Sequence, residues 1–234
     1  MNLALVRATA EALGTRVLLR IDDADTDRLR PEYVQDIFRV LEWVGMVPDV
    51  GPHTPTDLNH WSQATRRERY WAALVAMELA GAPVFTCTCS RAVLTDGSCT
   101  AGCMEPVARY APTLSAVRLR REGGDVTLWG RYHPGYHLAS CVDDLDYGVT
   151  HVVRGADLAT ASVAHAQIHG FLTGNAPRYA HHPLVTGPDG AKLSKSQGTA
   201  RLELDTALAQ RIESMAADLL PGIVAQFEAA PAAG

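Results

Sequence analysis

An α/β fold is predicted by the order of elements in this 234-residue sequence. Short apolar runs alternate with segments of helical period, in the order β-α, insertion, β-β, β-α, β. Glycines and prolines stand where those elements should stop and start. That order is compatible with a mainly parallel sheet. With 47% hydrophobic residues, the chain has material for a sizeable core.

Residues 2–13 read as an apolar helix with Gly14 as its cap. The short apolar run over 16–21 reads as a buried strand, followed by the acidic cluster "DDADTD". Pro31 opens a second helix at a favoured first-turn position. Val34, Ile37, Phe38, Leu41 and Val44 line one face of it, and Gly45 ends it. A Pro/Gly/His loop leads to a long helix reaching about residue 80. Residues 112–123 read as a helix, and 126–129, 136–142 and 149–153 as strands. Residues 157–172 read as a helix ending near Gly174, and 183–186 as a last short strand. The final "AAPAAG" reads as a frayed tail.

The bulk numbers exclude several classes. A formal charge of −5 rules out a wholesale basic nucleic-acid binder, so any polyanion must meet a local patch. Of five cysteines, four fall within residues 87–103. That clustering, with no secretory signal at the N-terminus, argues for metal binding in a reducing compartment over a disulfide framework. The longest apolar stretch, "YWAALVAMELAGAPVF", is broken by Glu78, Gly81 and Pro83 and is too short to span a bilayer.

Two motifs carry chemistry. "GPDGAKLSKSQGT", residues 187–199, sets Lys192 and Lys195 three apart beside Ser194 and Ser196 on a glycine-bounded turn. Both ammonium groups can reach one phosphate ester. Cys87, Cys89, Cys99 and Cys103 offer four soft thiolates. Four thiolates close a tetrahedron around zinc with no open position, which makes the site structural. Buried free thiols are the plain alternative. Cys141 reads as a small strand residue, and Asp143 and Asp144 as turn formers with no ligand role.

"LLRIDDADTDRLRPEYVQDIFRVLEWVG", "CTCSRAVL…C…GC", "GYHLASCVDD", "GVTHVVRGADL" and "HHPLVTGPDGAKLSKSQG" occur in that order. Over about residues 2–200 the chain resembles the catalytic domain of the class I glutamyl-tRNA synthetase family. Its nearest likeness is the short glutamyl-queuosine tRNA(Asp) synthetase branch. The resemblance implies a Rossmann-type core that activates L-glutamate with ATP and Mg²⁺ as glutamyl-adenylate and transfers it to tRNA. "KLSKS" resembles the family's "KMSKS" signature, so Lys195 is the expected catalytic lysine on the ATP phosphates, with Lys192 and Ser194 beside it. Asp22, Tyr136 and Arg154 match glutamate-binding positions. Alone, these three also read as a helix N-cap, a half-buried strand aromatic and a surface ion-pair partner. Relatives have Cys-x-Cys, then Tyr and Cys, at the metal site. Cys99 lies near the tyrosine position, although alignment by Gly102 would put Thr100 there.

The implied organisation is one synthetase-like catalytic domain over 1–234. It has a cysteine-rich insertion at about 82–125, a helical tail at about 205–234 and no anticodon-binding domain. The expected partners are L-glutamate and tRNA, with queuosine-containing tRNA(Asp) as the acceptor the branch suggests. The chain is expected to be a cytoplasmic monomer without a membrane partner. The family's first strand and "HIGH"-type turn would lie roughly 15–20 residues ahead of the matched segment. The chain as given is therefore expected to lack one ATP clamp and to show no ATP–pyrophosphate exchange. A non-catalytic paralogue that binds tRNA or a partner protein, and a start codon placed too late, are the alternatives. The family's Ser-Thr-x-Arg-Gln is replaced by "ASVAH" at 161–165, which keeps Ser162 but not the Arg-Gln pair.

Overall fold

The computed structural model describes residues 1–112, 114–184 and 205–229. Helix α1 (Asn2–Leu13) ends where Gly14 takes the left-handed conformation, φ 61°, and Thr15 N–H returns to Ala10 O at 2.9 Å. Helix α2 (Pro31–Trp43) begins on Pro31 as expected. Its C-terminal carbonyls are capped from α1: Arg7 Nη1 donates to Val44 O at 2.8 Å and to Gly45 O at 3.2 Å. The expected strand over 16–21 reduces to one parallel bridge, Leu18 to Val50, because only residues 17–19 find a partner backbone.

The long helix to residue 80 is broken at Ser62. It consists of α3 (Leu58–Trp61), a 3₁₀ turn (Gln63–Arg66) and α4 (Arg67–Leu79). Strands β1 (Val84–Cys87), β2 (Ala116–Leu119) and β3 (Val126–Trp129) form an antiparallel sheet in the order β1-β2-β3. The helix expected over 112–123 is thus a strand. Gly123 and Gly124 both have positive φ and turn β2 into β3, and a Cβ at Gly124 would sit 2.9 Å from Asp96 O.

Residues 136–142 correct the sequence reading in the other direction. They belong to helix α5 (Tyr136–Asp146), with Gly135 as N-cap. Every residue from 138 to 144 is buried, so no polar face marks the helical period. A short apolar run without that face reads equally as a strand. Cys141 and the two aspartates are accordingly buried helix residues, neither strand nor turn formers. Cys141 Sγ lies 3.8 Å from His165 O.

Strand β4 (His151–Gly155) pairs in parallel with β5 (Arg178–His182), joined by a 3₁₀ turn (Ala156–Leu158) and α6 (Ala159–Leu172). Among the described residues the last strand thus ends at His182; 183 and 184 of the expected strand over 183–186 are not in it, and 185 and 186 lie outside the described residues. Among the described residues the parallel component is this pair, and the larger sheet is antiparallel. Val152 and Val153 of β4 line a groove of about 530 Å³ together with Val17, Leu18 and Arg20. Helix α7 (Thr206–Ala229) packs against α1 and β5. Ala216, Ile223 and Phe227 bury its inner face with Leu5 and Ala180. A second core joins α4, β2, β3, α5 and α6 around Tyr70, Leu74, Leu128, Leu138 and Ile168. No helix among the described residues is long and apolar enough to cross a membrane.

Candidate active site and thiolate cluster

Arg154 is the next-to-last residue of β4, at its C-terminal end, where α/β folds place ligands. Gly155 follows it because the backbone turns tightly there; a Cβ would come 2.5 Å from Asp157 Oδ1. The Arg154 residue is 6% exposed. Its guanidinium lies over the Tyr179 ring, 4.5 Å from the centroid. Its Nη1 is 3.5 Å from the Tyr136 hydroxyl. Nε and Nη2 of Arg154 are buried without a hydrogen-bond partner among the described residues, and so is the Tyr179 hydroxyl. Leaving such donors unpaired is costly, and a planar carboxylate would satisfy the guanidinium fork.

Tyr136 opens α5, not a strand, and its phenol projects from the first helical turn. Burial raises its pKa, against the lowering effect of Arg154. Asp22 shares an open cleft of about 1120 Å³ with Tyr136, His137 and Arg20. Its carboxylate accepts from Arg20 Nε at 2.9 Å and from Gln63 Nε2 at 3.3 Å. Of the three expected glutamate contacts, the structure brings Tyr136 and Arg154 together and sets Asp22 on the cleft that Tyr136 lines. Lys192, Ser194 and Lys195 lie outside the described residues.

Sequence reasoning passed over the groups that hold this site. Arg20 spans from Asp22 to the buried Asp144, a short ion pair, and reaches Ser140 O at 3.4 Å. Asp143 accepts from Tyr70 Oη at 2.9 Å and Gln63 Nε2 at 2.8 Å. These two carboxylates fix α5 to the segment carrying Asp22. Tyr179 and His165 were likewise not singled out. The available signals were a charged pair at the end of an apolar run and a histidine inside an apolar helix.

The four cysteines converge. Cys87 ends β1, and the Sγ atoms of Cys87, Cys89, Cys99 and Cys103 all lie within 4.8 Å of one another. Cys89 Sγ is 3.8 Å from that of Cys99 and 3.9 Å from that of Cys103. Zinc–sulfur bonds of about 2.3 Å at tetrahedral angles give sulfur–sulfur edges of about 3.8 Å. The residues present therefore fit a zinc ion. Asp125 supports them: its Oδ2 accepts from Cys99 N–H at 2.7 Å, and Arg120 holds its other oxygen at 3.1 Å. Burial would raise the Cys99 thiol, but hydrogen bonds from the Ala101 backbone, Cys87 and Cys103 outweigh it and bring it down to about 7.

Comparison with solved proteins gives the class. The chain has the catalytic fold of class I aminoacyl-tRNA synthetases, with mixed α/β content. The glutamate-tRNA synthetase of Elizabethkingia anophelis superposes with a TM-score of 0.64 at 23% identity, over 84% of this chain and 49% of that one. Residues 117–211 match the family described as tRNA synthetases class I (E and Q), catalytic domain. The glutamyl-Q tRNA(Asp) synthetase of Symbiobacterium thermophilum is 31% identical over 94% of this chain and 80% of its own. The glutamate–tRNA ligase 1 of Gluconacetobacter diazotrophicus is 33% identical over 79% of this chain, which spans 45% of that ligase. This chain belongs to the class I glutamyl-tRNA synthetase family.

Proposed function

We propose that Arg154 binds L-glutamate in a synthetase that activates it with Mg²⁺-ATP as glutamyl-adenylate and transfers the glutamyl group to a tRNA, a reaction that also calls on the family's first strand and "HIGH"-type turn. The observation that carries the reading is the buried Arg154 fork, with Nε and Nη2 unpartnered among the described residues and Tyr136 and Tyr179 around it. A side-chain carboxylate pairs with that fork, and Asp22 stands on the cleft to meet the substrate ammonium. The α-carboxylate then attacks the α-phosphate and pyrophosphate leaves. Lys195, with Lys192 and Ser194, is the sequence-based choice for stabilising the charge that grows on those phosphates. A hydroxyl of the tRNA then attacks the carbonyl carbon of the adenylate, and AMP leaves with the bond to phosphate broken. The step depends on orientation and charge stabilisation more than on a general base.

The acceptor is proposed as queuosine-containing tRNA(Asp), because two of the relatives sharing most of their length with this chain carry that name. The thiolate cluster is proposed to hold one structural Zn²⁺, stiffening the insertion on the far side of the cleft. Calorimetric titration of L-glutamate and L-glutamine tests the central point. Glutamate should bind more tightly, since a neutral amide leaves part of the fork unpaired. Equal affinities would overturn the assignment. Incubation with ATP, labelled glutamate and tRNA(Asp) with or without queuosine tests the acceptor; label incorporated equally into both would exclude the queuosine hydroxyl.

A further inference from the structure

Helix α6 buries a polar seam. Ser162, His165 and His169 follow one another at spacings of three and four, on one face, and are 6%, 2% and 1% exposed. Ser162 Oγ faces His181 Nε2 at 2.7 Å. His165 is the member that reaches the candidate site. Its ring centroid is 5.3 Å from that of Tyr136, 5.2 Å from His137 and 6.5 Å from Tyr179. Its Nε2 lies 3.1 Å from Nδ1 of His137. His165 thus touches both tyrosines that contact Arg154, one through its hydroxyl and the other through its ring face.

We propose that His165 is a positioning residue of the amino-acid site, fixing Tyr136 and Tyr179 about Arg154; the inference rests on the glutamate reading above. Space filling alone would be served by a leucine or a phenylalanine. The hydrogen bond to His137 adds something packing does not: it sets the plane of the imidazole, and that plane meets the two phenols. Tyr136 needs the support, because it is 41% exposed and open to the cleft on its other side. Its ring neighbours among the described residues are His137 and His165. The imidazole also stays uncharged. Burial first, then the Arg154 cation and the neighbouring His137, push His165 down to about 2. A neutral ring can stand beside Arg154 without repelling it.

The test separates the ring from the hydrogen bond. L-glutamate and L-glutamine are titrated into the wild type, His165→Gln and His165→Phe, with melting temperature and zinc content followed in parallel. His165→Gln keeps a polar group but no ring, and should weaken glutamate by about tenfold, the size of an aromatic contact. It should also narrow the preference over glutamine. His165→Phe keeps a ring but loses the hydrogen bond that sets its plane, so it should recover only part of that affinity and stay about threefold weaker than wild type. Both variants binding glutamate like the wild type would overturn the proposal. So would variants that lose melting temperature while keeping the full preference, since that is what a purely structural residue does. A wild type that binds no glutamate overturns the glutamate reading and this inference with it, whereas an effect missing only in the variants overturns this inference alone.

Discussion

Arg20 joins two aspartates 122 positions apart in sequence, Asp22 at 2.9 Å on the cleft wall and the buried Asp144 inside α5. That one guanidinium ties the acidic segment after α1 to the helix that begins with Tyr136. The position of Asp22 relative to Tyr136 therefore depends on an ion pair in the core.

Removing Asp144 takes away the buried partner of Arg20 and leaves the half-buried guanidinium with only Asp22 as an ion-pair partner among the described residues. Asp144→Ala should cost about 3 kcal/mol in a denaturant melt. The exposed Asp36–Arg39 pair, at 2.6 Å along α2, is the contrast. Asp36→Ala should cost no more than about 0.5 kcal/mol. Similar losses for the two variants would mean that the Arg20 network contributes no more than a surface pair.

Arg154→Lys keeps the charge at the end of β4 but loses the planar fork. It should weaken L-glutamate by at least about tenfold. Arg154→Ala should bind glutamate and glutamine alike. A lysine variant with wild-type affinity would show that charge alone, without bidentate geometry, accounts for binding.

Zinc content should be about one per chain, as one closed four-ligand site requires. Chelation should speed hydrogen exchange over 84–129 before it affects α1 or α7. Cys99→Ser should lower zinc retention, because Cys99 sits 3.8 Å from Cys89 and its backbone is held by Asp125. Metal-free protein as purified, with four freely titrating thiols, would rule the site out.

Acid should weaken the fold through its buried imidazoles. Burial is the leading cause that holds His137 at about 4, His169 at about 4 and His165 at about 2. These values lie below the usual 6.5, so the unfolded chain takes up these protons first. The stability they contribute is fully present above about pH 6.5 and is lost as the pH falls, down to about 4 for His137 and His169 and on to about 2 for His165. Each adds a slope of up to about 1.4 kcal/mol per pH unit in that window. His169→Phe should flatten the dependence by about one proton. An unchanged slope would mean that His169 is solvated in the folded state.

The legible parts of the fold were those with local punctuation. Gly14, Pro31 and Gly174 marked the ends of α1, α2 and α6 because capping is written in a few adjacent residues. Helix α5 was misread since burial on every side erases the polar face that reveals a period. Strand β2 is hidden in the sequence because its pairing with β1 comes from residues some thirty positions away, and its one local sign is the Gly123-Gly124 turn. In the site, Arg154, Tyr136 and the four cysteines stood out by residue type and motif. Tyr179, His165 and Arg20 did not, because their roles come from what tertiary packing sets beside them.

The groove beside β4 bears on how this protein behaves at high concentration. Among the described residues β4 and β5 form a two-stranded parallel sheet, and His151, Val152 and Val153 line that groove. A sheet edge that has no strand partner among the described residues is a template for any extended chain that reaches it. Partial unfolding near the melting temperature would present the same edge on many molecules at once. Heated samples should therefore gain intermolecular sheet, visible by infrared spectroscopy, before their helices α1 and α7 melt. A charged side chain in place of Val152 should delay that gelation.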